Sequence, residues 1–270
     1  MQTGGVTFKP SVSRWKLEPD GAAIHTHSSD LLPVRYAGKA AMLKLARSEE
    51  ERRGNQLMVW WNGRGAAQVY KHVGAALLME RLEVRPSLTE LVRGGQDDGA
   101  TRLLCEAAAK LPRSQPWPKL PTLRRWFQGL EEAAPGGGGI LATALETARA
   151  LLDSPQQVGV LHGDIHHANL LHSPERGWLF IDPKGLVGER SFDYANILCN
   201  PDLDTATTPG RLARQARIIS GTANLEYTRL LRWALAYAGL SAAWHLAGGE
   251  DKLARQTLDV ARIAAAELGK

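Results

Sequence analysis

The sequence predicts an α+β protein of two lobes: a small β-rich N-terminal lobe over residues 1–82 and a larger, mostly helical C-terminal lobe over residues 83–270. Three observations predict it. Apolar runs of strand length, separated by turn residues, fill the first third of the chain. Longer stretches with apolar residues at three- and four-residue spacing fill most of the rest. Within that helical part, a short polar segment follows one apolar run, and an acid ends another. At 270 residues, a hydrophobic content of 44% is enough for a real core.

The N-lobe is expected to hold five strands and one helix. Residues 23–27 and 31–36 read as strands around Ser28-Ser29-Asp30, and 40–46 as a third, carrying Lys44. A helix is expected over 48–61, with Ser48 as cap, Glu51 at the capping-box position and Asn62-Gly63 as stop. Residues 66–71 and 75–82 supply two more strands. Helices over 88–92 and 97–111 follow, ended by four prolines within 112–121. Residues 123–133 and 140–152 read as a helical hairpin with Pro135-Gly136-Gly137-Gly138-Gly139 as its flexible tip. A buried strand is expected over 158–161, then a hairpin of 170–171 and 178–181 around Ser173-Pro174-Glu175-Arg176-Gly177. Helices over 192–198, 211–220, 227–247 and 253–268 complete the chain.

The polar segment is His162-Gly163-Asp164-Ile165-His166-His167-Ala168-Asn169. Gly163 lets the chain turn sharply after the strand, which puts Asp164 on a loop where it can face an acceptor hydroxyl. Asp164 and Asn169 are five residues apart, the spacing protein kinases use in their catalytic loop. The hairpin returns Asp182 to the same end. Magnesium takes one or two protein oxygens plus phosphate and water oxygens, which Asn169 and Asp182 would supply. Lys44 on an apolar strand suits the lysine that neutralises the α and β phosphates, with Glu51 as its helix carboxylate and Glu49 and Glu50 as alternatives. No G-x-G-x-x-G precedes Lys44 and no P-loop motif occurs, so the turn over the phosphates is expected at Ser28 and Ser29. The set indicates a kinase-like phosphotransferase that uses ATP and Mg²⁺.

Other classes fit less well. His162, Asp164, His166 and His167 superficially suggest a metallohydrolase, but a zinc site needs further ligands and an open position. The net charge of +5 is scattered, with no basic aromatic platform, which argues against nucleic acid. Cys105 and Cys199 form no metal or redox motif. No signal peptide and no apolar stretch of membrane-spanning length is read, so a cytoplasmic protein without a membrane partner is expected.

The motif with Ile181-Asp182-Pro183 resembles the aminoglycoside phosphotransferase superfamily and, more narrowly, its aminoglycoside 6-phosphotransferase and hydroxyurea phosphotransferase family. Supporting blocks include Thr26-His27-Ser28-Ser29, Trp60-Trp61-Asn62-Gly63-Arg64-Gly65, Gly188-Glu189-Arg190-Ser191-Phe192-Asp193 and Leu240-Ser241-Ala242-Ala243-Trp244. The resemblance implies a protein-kinase-like two-lobed fold with ATP in the cleft, and a hinge at Met79, Glu80, Arg81 and Leu82 that meets adenine through backbone groups. It implies a monomer that phosphorylates streptomycin at the 6-hydroxyl and so confers antibiotic resistance. A kinase of another small cationic sugar or alcohol, or a nucleotide-binding pseudokinase, remains the alternative. Streptomycin carries two guanidinium groups, so acids should hold it. Glu189, Asp202 and Asp204 are the candidates, with Trp244 as pocket wall or core residue, while Asp193 is implied to brace the catalytic loop. Two departures stand out: Asp182 is followed by Pro183-Lys184-Gly185, and Ala168 stands where relatives often carry an acid. Lys184 is left between a phosphate contact and solvent.

Overall fold

The computed structural model describes residues 7–115, 118–134 and 139–270. Residues 135–138 of the expected glycine-rich tip therefore lie outside the described residues, as do the first six of the chain.

The N-terminal part is an antiparallel sheet with two helices. In chain order it holds α1 (Lys9–Trp15), β1 (Glu18–Pro19), β2 (Ile24–His25), β3 (Ser29–Tyr36), β4 (Lys39–Ala46), α2 (Glu49–Trp61), β5 (Val69–Val73) and β6 (Ala76–Glu80). The strand order is β1-β3-β4-β6-β5, with β2 also on β3, so among the described residues the sheet has six strands rather than the five expected. The additions are β1 and α1. Helix α1 fully buries no residue; its apolar contacts with the sheet are the partly buried Val12 and Trp15, with Phe8 just before it.

Strand alternation does the sorting that matters here. On β4, Ala41, Leu43 and Leu45 are buried in a cluster with Leu32, Val34 and Leu78, on the face covered by Phe8, Val12 and Trp15. Their neighbours Met42 and Lys44 therefore face the opposite way, into the cleft. Helix α2 starts where expected: Ser48 Oγ accepts from Glu51 N at 3.1 Å. It stops at Asn62, whose φ of 47° is left-handed.

The remainder holds α3 (Leu88–Arg93), α4 (Asp97–Ala108), α5 (Leu123–Trp126), α6 (Gln128–Ala133), α7 (Ile140–Asp153), β7 (Val158–Leu161), β8 (Leu170–Ser173), β9 (Gly177–Phe180), β10 (Leu186–Glu189), α8 (Arg190–Ala195), α9 (Leu203–Ala206), α10 (Arg211–Ala223), α11 (Tyr227–Ala247) and α12 (Asp251–Leu268). Helix α11 is apolar nearly all round and packs against α12, α7, α8 and α6. The helix expected over 123–133 is split in two at Phe127, and α9 and β10 were not expected. Strand β10 pairs antiparallel with β7, Leu186 opposite Leu161, while β8 and β9 form the expected hairpin. Cys105 and Cys199 are free and buried, and burial pushes both thiols up to about 12. Among the described residues, no helix is long and apolar enough to cross a membrane.

Candidate active site

The loop after β7 is held from below by one acid. Asp193 on α8, almost fully buried, accepts from His162 N at 3.0 Å and Gly163 N at 2.7 Å, and from Arg113 Nη1 at 2.9 Å. His162 is buried beside Phe180, with ring centroids 5.0 Å apart. Its Nε2 donates to Ile181 O at 3.0 Å and its Nδ1 accepts from Asp164 N at 3.2 Å. Burial lowers its pKa, against the pull of Asp193 and Asp164, so the ring is a neutral strut. It joins the loop to the strand end that carries Asp182.

Asp164 accepts from Asn196 Nδ2 at 2.9 Å and Asn169 Nδ2 at 3.2 Å. Burial pushes its carboxyl up. The bond and charge of His166, with Lys184 and His162, outweigh burial and hold the pKa at about 2. Asp164 is therefore a carboxylate at neutral pH. Asn169 also donates to Asp164 O at 3.0 Å, so the atom it can offer a cation is its carbonyl oxygen. Ile181 N donates to Asn169 O at 3.0 Å, which ties the neighbouring Asp182 to the same loop. Asp182 has a φ of 59°, the left-handed region that non-glycine residues visit uncommonly and Asp more readily than most. Burial raises its pKa, but the contact with Lys44 prevails and lowers it.

Lys44 Nζ contacts both Glu51 Oε2 and Asp182 Oδ1. Glu51 is 2% exposed and its other oxygen accepts from Ser28 Oγ at 3.0 Å and lies 3.3 Å from Lys184 Nζ. Gly54 makes this possible: a Cβ there would collide with Pro183 O, so only glycine lets α2 approach the 182–185 turn. The set of one carboxylate and one amide oxygen matches the hard, partly hydrated coordination of Mg²⁺. Among the described residues, no group of three His, Cys, Asp or Glu side chains could hold a metal, which leaves the histidine-site alternative without support.

Three cavities meet here. One of about 270 Å³ is lined by Ser28, Ser29, Lys44, Met79, Leu82 and Asp182. Glu80 also borders it, but its carboxylate turns away, accepting from Ser173 Oγ at 3.0 Å and Gln68 N at 3.1 Å, and Glu80 N is spent on Gln68 O. The other two cavities both reach Asp164. The one of about 570 Å³ carries Asp202, Asp204, Asn196, Asn200 and Ser241. The one of about 730 Å³ carries Arg53, Lys119, Arg125, Lys184 and Trp244. Tyr237 lines the first and Trp244 the second, and their rings meet edge-on at 6.5 Å.

The acids expected at the substrate separate. Glu189 is displaced from that role: it is 1% exposed, pairs with Arg229 at 2.6 Å, and accepts from Trp233 Nε1 at 2.8 Å and Gln156 N at 3.0 Å. Both of its oxygens are engaged inside the fold. Asp202 reaches the acidic cavity but caps α9, accepting from Thr205 N at 2.8 Å, and pairs with Arg93 at 3.2 Å. Its pKa is lowered, chiefly by the bonds from Thr205. Asp204, exposed and held by a long 3.5 Å bond from Gln256, is the more available acid. Trp244 lies on the basic side, away from both, with Trp126 at 5.5 Å. Sequence reasoning missed Asn196, three residues after Asp193 on the following turn, whose amide orients Asp164. Its signal was the Asp193-Tyr194-Ala195-Asn196 spacing.

A family model described as aminoglycoside/hydroxyurea antibiotic resistance kinase matches residues 14–249. The chain is 47% identical to a streptomycin 3''-kinase of Klebsiella pneumoniae over 257 residues, covering 93% of this chain and 96% of the relative. It is 29% identical to a hydroxyurea phosphotransferase of Kitasatospora aureofaciens (96% and 78% covered) and 28% identical to a streptomycin 6-kinase of Streptomyces griseus (94% and 87% covered). Among solved structures, an aminoglycoside phosphotransferase in complex with ADP and hygromycin B superposes with a TM-score of 0.66 at 13% identity, covering 97% of this chain and 99% of that one. A choline kinase of Streptococcus pneumoniae superposes at 0.60 and 12%, covering 97% of each. At such identities these structures speak for the fold alone, which is the kinase-like one.

Proposed function

The chain belongs to the aminoglycoside/hydroxyurea antibiotic resistance kinase family, a group of phosphotransferases, and we propose that within it this protein transfers the γ-phosphoryl group of ATP to a hydroxyl of streptomycin. The observation that carries this reading is the 47% identity, over nearly the whole of both chains, to a streptomycin 3''-kinase. The same observation moves the acceptor position. The 6-hydroxyl expected from sequence is favoured by relatives at 28% identity, and the 3''-hydroxyl by the one at 47%. We take the 3''-hydroxyl as the acceptor.

ATP is assigned to the cavity between the sheet and the catalytic loop, its adenine against Met79 and Leu82 and the backbone of the hinge, its phosphates under Ser28 and Ser29. Lys44, oriented by Glu51, neutralises the α and β phosphates. Asn169 and Asp182 would hold Mg²⁺, which would offset the negative charge of the phosphates. The cationic antibiotic belongs in the acidic cavity, with Asp204 as the acid free to pair and Asp202 contributing field rather than a bond. Asp164 then accepts a hydrogen bond from the hydroxyl. With a pKa of about 2 it is a weak base, so it positions the hydroxyl and takes its proton late, once O–P bond formation has made that proton acidic. A monomer working in the cytoplasm, where ATP is available and buried thiols stay reduced, fits this role.

The test is ATP turnover with streptomycin against kanamycin, which lacks the guanidinium-bearing ring, with the position of the product's phosphate read by NMR. Streptomycin 3''-phosphate is expected. A 6-phosphate would restore the sequence-based position, and turnover of kanamycin alone would remove the streptomycin reading while leaving the kinase standing.

A further inference from the structure

The turn after Asp182 carries a second lysine whose placement is as constrained as that of Lys44. Lys184 N and Gly185 N both donate to His162 O, at 2.8 and 3.2 Å, which pins the turn to the catalytic loop. On the other side Pro183 is pressed against Gly54 of α2. The Lys184 side chain emerges between the two. Its Nζ lies 3.2 Å from Glu50 Oε1 and 3.3 Å from Glu51 Oε1, with the side chain 20% exposed.

Glu51 is thus shared: Lys44 stands on one carboxylate oxygen and Lys184 on the other. The two ammonium groups divide the cleft. Lys44 lines the nucleotide cavity and contacts Asp182. Lys184 lines the basic cavity, which shares Asp164 with the acidic cavity assigned to the antibiotic. A phosphoryl group leaving ATP for a hydroxyl at Asp164 travels from the first lysine towards the second. Charge spreads over its three equatorial oxygens on the way, and a fixed cation at the destination favours the transition state over the ground state.

We propose that Lys184 is a catalytic residue that meets the migrating phosphoryl group on the acceptor side, while Lys44 holds the phosphates that stay behind; the assignment rests on the nucleotide and acceptor placement given above. In the step, an acceptor oxygen lone pair forms the new O–P bond. The bond from the γ-phosphorus to the bridging oxygen breaks, and its electron pair leaves with ADP. The acceptor proton passes to Asp164 and then to solvent. Lys184 remains protonated throughout.

The rival is that Lys184 merely steadies Glu51, and through it Lys44. The two roles separate by nucleotide. Lys184→Met keeps the stem and removes the charge, and Lys184→Arg keeps the charge. Lys184→Met is expected to lower kcat by about 10²–10³, the usual cost of removing one donor to developing charge. Calorimetry should find its ADP affinity within about twofold of the parent, and its affinity for ADP with aluminium fluoride, a planar phosphoryl mimic, reduced by at least about tenfold. Lys184→Arg should recover most of that tenfold. The mimic needs no acceptor, so a wrong antibiotic assignment shows as no turnover by the parent protein and leaves this binding comparison intact. The proposal is overturned if Lys184→Met loses ADP affinity as Lys44→Ala does, or if it keeps the parent's preference for the mimic over ADP.

Discussion

The nucleotide side and the acceptor side of the cleft are built on different physics. The nucleotide cavity is small and floored by apolar side chains such as Leu77, Met79 and Leu171, and its charges are buried pairs: Lys44 and Glu51 are 4% and 2% exposed. The acceptor side is wider and wetter, and Asp204 meets solvent. Breaking a buried pair strands a charge, whereas an exposed pair contributes little and is screened by salt. ATP binding should therefore be intolerant of change, and antibiotic preference easy to retune. That contrast accords with a family whose members bear the names of streptomycin 3''-kinase, streptomycin 6-kinase and hydroxyurea phosphotransferase.

The largest effect is expected where the two sides join. Asp164→Ala should lower kcat by about 10²–10⁴ through lost positioning and proton acceptance, with ATP affinity little changed. Near-normal turnover would remove the catalytic assignment. On the nucleotide side, Lys44→Ala should raise KM for ATP and lower kcat, together by about 10²–10³ in kcat/KM, and Glu51→Gln should do the same less strongly. A larger defect in Glu50→Gln than in Glu51→Gln would mean the wrong carboxylate has been paired with Lys44.

Gly54→Ala tests the packing beneath that pair. The new methyl group must displace Pro183 or α2, so a loss of about 1–3 kcal/mol in thermal or denaturant unfolding is expected. A lower affinity for ATP should accompany it. Unchanged stability and affinity would show that the helix gives way without disturbing Lys44. The smallest effect belongs to the acceptor side. Asp204→Asn should raise KM for streptomycin about three- to tenfold, leave KM for ATP alone, and weaken the dependence of streptomycin KM on salt. If Asp202→Asn has the greater effect on KM for streptomycin, its cap and Arg93 pair are less binding than the geometry suggests.

The same contrast governs what could be read from sequence. The grouping of Lys44, Asp164, Asn169 and Asp182 was legible because each lies in, or at the end of, an apolar run whose period sets its direction, and a five-residue spacing links two of them. Tyr227–Ala247 was legible as one helix because a long apolar run, interrupted only by a few polar residues, contains no proline. Strand β10 was not: four residues, one of them Gly188, become a strand only by pairing with β7 more than twenty positions earlier. Glu189 misled for the same reason. Its partners Arg229 and Trp233 lie about forty residues on, so an acid that neutralises a partly buried arginine read as one waiting for a guanidinium ligand. The acceptor cavities draw on segments from α2 to α12, and nothing local announces which acid faces which cavity.

The edge contact between Tyr237 and Trp244 makes the partition between the acidic and the basic cavity an aromatic one. Trp244 is 39% exposed, on the basic side, and its neighbour Trp126 shields one flank. Its emission therefore depends on what stands in that cavity and only indirectly on what fills the acidic one. A difference spectrum between the parent protein and Trp244→Phe would turn this wall into an optical gauge of occupancy. A direct spectral shift would place a ligand among Arg53, Lys119 and Arg125, and a silent titration with streptomycin would place the antibiotic beside Asp204.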